Sequence, residues 1–368
     1  MKQLFFLVFI IILSFSIKAC SPDAVVINIS EEIIKPKTYK IPRIKNTIII
    51  DGKADDEDWE KVKFTDDFVD IEGKKIPLQK TNVKMLWDNE FLYIYVKLEE
   101  NHIWGNLKKR DTIIFYNNDF EVFISPSNSY RSYGELEINA LGTVWDLLLD
   151  SPYKAKGIPI FNWNIAGLKS AVYVEGTLNN PNDIDRYWSV EFAIPMKALI
   201  ELKRFQRKLP VNGEQWRINF SRVEWQYDLI DNKYYRKKKD NKFLAEYNWV
   251  WSQQGKINMH LPENWGYIEF VENEFVDDEF THKTDFLIDQ IAYVLYRKVA
   301  YEEYNHLKNL AAGTKTTIIL PGLEEKNLSI HLLNTFAGFE IQIKDNSTEG
   351  IYTIDENGFL DRPLDIKH

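Results

Sequence analysis

One cysteine, four methionines and six histidines are the whole stock of soft and imidazole ligands in 368 residues. A single thiol excludes an intrachain disulfide and any zinc–thiolate cluster. The chain also lacks a CxxCH haem attachment, an HExxH zinc motif, a phosphate-cradling glycine loop and the local signatures of nucleophilic catalysis. Positive charge is short: 46 Lys and Arg against 55 Asp and Glu leave a net charge of −9. The one tight basic run, Arg236 to Lys239, reads as a solvated loop. Nucleic acid is therefore excluded as a partner, because neutralising phosphates needs a basic surface. Beyond residue 20 no apolar run is long enough to span a bilayer, and no repeat of 20 to 50 residues is present.

What is abundant is apolar and aromatic material. Apolar residues make up 45% of the chain and aromatics 14%, with 11 Trp and 19 Tyr. That is ample for a sizeable core. The rings suit strands, and they equally suit stacking on flat ligands.

The first twenty residues run from Lys2 through an apolar stretch, Leu4 to Ile17, to Ala19 and Cys20, with Ser21, Pro22 and Asp23 following. They read as a targeting segment and resemble a bacterial lipoprotein signal. That resemblance implies export, lipidation of Cys20, and attachment to the cell envelope, on the outer membrane, through the lipid alone. Residues 21–40 are polar and carry Lys and Pro, and are expected to be a linker.

From residue 41 short alternating segments follow one another with turns between them. Val83, Met85 and Trp87 alternate, then Leu92, Ile94, Val96 and Leu98, then Trp188, Val190, Phe192 and Ile194, then Ile218 and Phe220. The pattern is that of strands with one buried face. With almost no helix and no βαβ rhythm, the expected fold is mainly β, an antiparallel β-sandwich of jelly-roll type over 41–272. Residues 273–368 change character, with helix-like spacing over 283–311 and short strands at 314–320, 328–333, 337–343 and 350–354. They are expected to form a small α+β extension.

The stretch 118–146 carries the chemistry. On one parity stand Phe120, Val122, Ile124, Leu136, Ile138 and Ala140; on the other stand Asp119, Glu121, Glu135, Glu137 and Asn139. The hairpin so formed has an oily face and a face of carboxylates with an amide. Another acidic group, Asp55 to Asp58, sits in a first helical turn, where the helix dipole favours it; a calcium site is the sharper reading of the same residues.

The segments IIIDGKADDEDW, VKMLWDNEFLYIYV, NDFEVFISP, WSVEFAIP, WRINFSRVE and WGYIEF, in this order over residues 41–270, resemble the family 9 carbohydrate-binding modules and their DOMON-like relatives. The resemblance implies a glycan-binding β-sandwich, without a catalytic cofactor and in some members with structural calcium. In such modules two Trp rings clamp a sugar whose hydroxyls meet acidic, amide and basic side chains. The acid beside the first clamp aligns with Glu121 and the amide with Asn139. The first clamp ring falls near Phe115 or Tyr116, the second near Met259, and a family arginine falls on Glu137.

The expected ligand-binding residues are Phe115, Tyr116, Asp119, Glu121, Glu137, Asn139, Trp145 and Trp163, with poly- or oligosaccharide as the partner, because a sugar needs an aromatic platform and convergent polar groups. Glu191, Asn219 and Tyr95 share the polar parity and are expected on the same concave face. A glycosidase would use Glu121 and Glu137 as its carboxylate pair, about 5 Å apart for retention or about 6.5 to 9.5 Å for inversion. A third reading is haem ligation through Met259 or His260, as in some DOMON-like sandwiches.

Overall fold

The computed structural model describes residues 24–203, 207–272 and 279–363. The expected targeting segment and Cys20 lie outside the described residues.

The chain is mainly β, built on two facing sheets, a third sheet formed largely by the C-terminal strands, and two short two-stranded sheets. A four-stranded antiparallel sheet has the order Lys169–Glu175, Tyr187–Pro195, Phe91–Glu99, Thr81–Trp87. The facing nine-stranded sheet runs Thr38–Pro42, Gly266–Val271, Gln215–Glu224, Asp119–Ser125, Tyr133–Asn139, Val144–Leu149, Pro159–Ile160. Tyr247–Val250 also pairs with Gln215–Glu224, and Val69–Asp70 with Tyr247–Val250.

The alternation read from sequence lands where expected. Val83, Met85, Ile94, Val96, Val190 and Phe192 from the first sheet meet Phe120, Val122, Leu136, Ile138, Ile218 and Phe220 from the second in one core. Phe120 stacks on Phe220 at 5.7 Å within its sheet and on Phe192 at 6.3 Å across the sandwich. Burying such side chains stabilises the fold by about 1.5–3 kcal/mol each.

Within the sandwich one strand pairing departs from the all-antiparallel expectation, because Thr38–Pro42 lies parallel to Gly266–Val271. The expected linker over 21–40 is also corrected. From Ala24 on, this stretch is part of the fold: Ala24–Val26 pairs in parallel with Lys315–Ile319, and Ile27 and Ile29 are buried in the C-terminal core. The short apolar run Ala24 to Ile29 serves that core, and its polar neighbours disguised it.

The C-terminal part is a six-stranded sheet whose strands Lys315–Ile319, Leu328–Asn334, Phe339–Asp345 and Ile351–Asp355 follow the predicted segments. The helix Phe286–Ala300 is capped by Asp285, whose side chain accepts from the Leu287 and Ile288 amides. It is shorter than the 283–311 predicted. Beyond it the Tyr301 and Glu302 amides both turn back to the Arg297 carbonyl, which breaks the helical ladder. Residues 287 to 299 of this helix are buried on every side, because it is wedged between its own sheet and the sandwich.

Candidate functional site

The hairpin Asp119–Ser125/Tyr133–Asn139 is the centre of the nine-stranded sheet, and register brings its polar residues into rows. Glu121 stands directly across from Glu137 on one side and Ser221 on the other, and Trp145 continues the row beyond Glu137. Asp119 stands across from Asn139 and Val223.

The parity rule gave the direction of these side chains correctly, but the carboxylate face is not open to water. All seven residues of both strands are buried. The cover is a second apolar cluster in which Phe123, Tyr133, Trp145 and Leu147 of the sheet meet Ile71, Ile114, Met259 and Trp265 from loops. Hydrogen bonds fix those loops: Trp265 Nε1 donates to the Met259 carbonyl at 2.8 Å, and Trp225 Nε1 to the Phe115 carbonyl at 2.7 Å.

A cleft of about 160 Å³ remains between the loops, lined among others by Phe115, Glu121, Glu137, Trp145, Tyr153 and His260. Phe161 stacks on Trp145 with centroids 5.9 Å apart and is itself exposed. His260 packs edge-on against Tyr153 at 4.7 Å, and its Nδ1 is 2.8 Å from the Tyr133 hydroxyl. Burial pushes this imidazole down to about 4, so it is neutral at physiological pH.

Three carboxyl groups, Glu121, Glu135 and Glu137, line the floor, and a fourth, Asp119, lies beneath it. Burial pushes Glu121 up to about 7, with the nearby Glu246 charge adding to it. Asp119, Glu135 and Glu137 are raised well above the usual carboxylate range, first by burial and then by repulsion from Glu121 and from one another. The Phe115 amide donates to Glu137 Oε2 at 3.1 Å. Both oxygens of Asp119 and one of Glu135 are buried with no hydrogen-bond partner.

The structure brings Phe115, Asp119, Glu121, Glu137 and Trp145 together and places the other three expected residues elsewhere. Asn139 is committed to the turn after its strand: its oxygen accepts from the Leu141 and Thr143 amides, and its Nδ2 donates to the Leu107 carbonyl. Trp163 packs on the main core beside Gly134, on the opposite side of the sheet. Tyr116 belongs to a neighbouring groove of about 460 Å³ with Trp104, Arg236 and Phe243. There the Arg236 guanidinium lies over the rings of Tyr116, Trp225 and Phe243 at 4.4, 4.6 and 4.0 Å, so this arginine is packed and is not a solvated loop charge.

Glu191 and Tyr95 sit on the other sheet. Glu191 accepts from Trp59 Nε1 at 2.7 Å and from the Asp51 and Gly52 amides. Asn219 holds both the Ser252 amide and carbonyl. The acidic turn at 55–58 is likewise occupied, with Asp56 accepting from the Ile49 amide and Asp58 from Asn46 and Lys61.

Sequence reading passed over Tyr153 and Glu246, which lie in loops without a periodic signal. Met259 and His260 were noticed for haem, but they wall this small cleft. Drug-sized ligands fill roughly 300–1,000 Å³, so the cleft has no room for a macrocycle.

Residues 50–146 match the family model described as carbohydrate family 9 binding domain-like. The match spans the first sheet's hairpin Thr81–Trp87/Phe91–Glu99 and the whole carboxylate hairpin. No curated protein matches this chain.

The solved structures similar to this chain include these three. A family 9 carbohydrate-binding module from Caldicellulosiruptor kristjanssonii in complex with cellotriose is 14% identical, with a TM-score of 0.43 over 67% of this chain and 100% of its own. A family 9 module from the same organism in complex with glucose is 15% identical, with a TM-score of 0.43 and the same coverage. A putative carbohydrate-binding protein from Bacteroides uniformis is 14% identical, with a TM-score of 0.46 over 64% of this chain and 100% of its own. At these identities the site rests on this chain's own geometry.

Proposed function

We propose that the sandwich binds saccharide without catalysis, at the cleft floored by Glu121 and Glu137. The observation that carries this reading is the pairing, in one cleft, of a ring wall with hydrogen-bonding carboxyl groups. Phe115, Trp145 and Tyr153 supply apolar faces for sugar C–H groups, and the floor supplies acceptors, and donors where protonated, for hydroxyls. A volume of about 160 Å³ suits one sugar residue or a chain end better than a long chain. The family 9 match over 50–146 supports the same class of ligand.

The targeting segment and Cys20 extend the proposal to an exported lipoprotein, anchored to the outer membrane and serving polysaccharide capture or breakdown. Radiolabelled palmitate incorporation that disappears in Cys20→Ser would support the anchor, and its absence from the wild type would refute it. Affinity electrophoresis of the purified chain against plant, algal and host glycans tests the binding. Retardation that is lost in Glu121→Gln supports the cleft, and no retardation on any glycan refutes the reading. Release of reducing sugar by the pure protein would reassign Glu121 and Glu137 to hydrolysis.

A further inference from the structure

Asp119, Glu121 and Glu137 each present an oxygen within 4.8 Å of the other two. This is not a surface cluster, since the three residues are 0%, 5% and 1% exposed. Other buried acids in the molecule are met by arginine or by well-formed neutral donors: Asp289 by Arg217 and Arg362, Glu100 by Arg222, Glu263 by Arg297, and Glu191 by Trp59 Nε1 and two backbone amides. Among the described residues, no Lys, Arg or His forms an ion pair with the three hairpin acids.

Asp119 decides the matter. Both its oxygens are buried, both lack any hydrogen-bond partner, and they face the other two carboxylates. A carboxyl group taken out of water without a partner is costly, so buried polar atoms are almost always satisfied. Of its register neighbours, Asn139 is committed to the turn after its strand, and the Val223 backbone N–H is the one donor near Asp119, without the geometry of a full hydrogen bond to either oxygen.

We infer that Asp119, Glu121 and Glu137 hold a hard divalent cation of the calcium class beneath the cleft. The donors are all carboxylate oxygens, which suit Ca²⁺ and exclude a soft-ligand zinc or copper site. Glu121 and Glu137 line the cleft whereas Asp119 does not. The cation therefore sits under the cleft floor, with its outer positions turned toward water or a ligand's hydroxyls. The site differs from the acidic turn at 55–58, whose Asp56 and Asp58 already have partners. The inference stands without the saccharide reading, because the cation is measured with no sugar present.

The test is calorimetric titration of CaCl₂ into the purified full-length chain, stripped with EDTA, together with thermal unfolding at rising Ca²⁺. One saturable site and a Ca²⁺-dependent rise in Tm are expected. Asp119→Asn and Glu137→Gln should each weaken binding roughly tenfold or more through the lost ligand charge, while Asp55→Asn leaves it unchanged. Far-UV circular dichroism checks the fold of each variant, and if one fails to fold the other carries the comparison. The inference is overturned if the folded wild type shows no saturable binding of Ca²⁺, Mg²⁺ or Mn²⁺ up to millimolar concentration. It is equally overturned if the folded hairpin variants bind as the wild type does, or if Asp55→Asn removes the binding; protons, or the acidic turn, would then account for the observations.

Discussion

Asp289 is the joint between the sandwich and the C-terminal unit, and removing it should cost more than any surface change. Its carboxylate is fully buried in the helix Phe286–Ala300. It accepts from Arg217 Nη2 at 3.1 Å, and Arg217 belongs to a central strand of the nine-stranded sheet. It also accepts from Arg362 Nε at 2.9 Å and Nη2 at 2.7 Å. Asp289→Ala deletes three charge-assisted hydrogen bonds and leaves the Arg217 guanidinium, 1% exposed, with only the Pro262 and Glu263 carbonyls. Arg362 is 24% exposed and can turn to water, so its share of the loss is small. Breaking one side of a buried pair costs about 3–5 kcal/mol, most of it the orphaned charge. Urea unfolding followed by tryptophan fluorescence should show the unfolding free energy lowered by that amount, with the midpoint falling in proportion. The double variant Asp289→Leu/Arg217→Met should recover much of the loss, since no charge is then left unpaired. A loss below about 1 kcal/mol, or a double variant less stable than Asp289→Ala, would refute the assignment.

Arg222, fully buried, donates to Glu100 at 2.8 Å and to Thr81 and Gln79 at 3.1 Å, so Arg222→Met should destabilise by about 3 kcal/mol in the same urea assay. At the cleft, Glu121→Gln should weaken saccharide binding by about 1.5–3 kcal/mol, roughly 10- to 100-fold in Kd by isothermal titration. Trp145→Ala should also weaken it, whereas Tyr116→Ala and Arg236→Ala should not; the reverse pattern would move the sugar to the neighbouring groove. Burial alone would raise Glu32, but hydrogen bonds from Lys256 and Lys298 and the Arg297 charge bring it down to about 2. A depressed carboxylate stabilises the fold fully above its unfolded value near 4.5, and the contribution is lost as pH falls through about 2. Glu32→Gln should therefore lower Tm at pH 6 and converge on the wild type near pH 2.

The strands were legible because their alternation is a direct statement of burial: Val190 and Phe192 face inward and Glu191 outward, as the period of two requires. The C-terminal strands were legible for the same reason. Parity says which way a side chain points, however, and not what lies over it. Glu191 and Glu121 have the same parity pattern in their strands, yet one is capped by Trp59 on the outer face of the first sheet and the other lies under loops on the second. Sheet membership is set by pairing, and no local pattern revealed that Tyr187–Pro195 and Asp119–Ser125 lie in different sheets. Asn139 looked like a ligand because nothing in sequence distinguishes a free carboxamide from one that closes a turn onto Leu141 and Thr143.

The contrast between acids in this molecule is the strongest reason to regard the central hairpin as a working site. Where the fold only needs to be held, buried carboxylates meet good partners at short distances: arginine for Glu100 and Asp289, and Trp59 with two backbone amides for Glu191. At the hairpin four acids are buried together, and the donors among the described neighbours are neutral: the Phe115 amide on Glu137, the Ser221 hydroxyl beside Glu121 and the Val223 amide beside Asp119. Such an arrangement opposes folding, since each unpartnered group carries its full desolvation cost. Departures from internal consistency of this kind are expected where a ligand completes the structure. The loops bearing Ile114, Met259 and Trp265 already exclude bulk water from the acids. What meets those acids must therefore come through the cleft or lie beneath it, and the carboxylates that line the cleft are the same ones that reach Asp119.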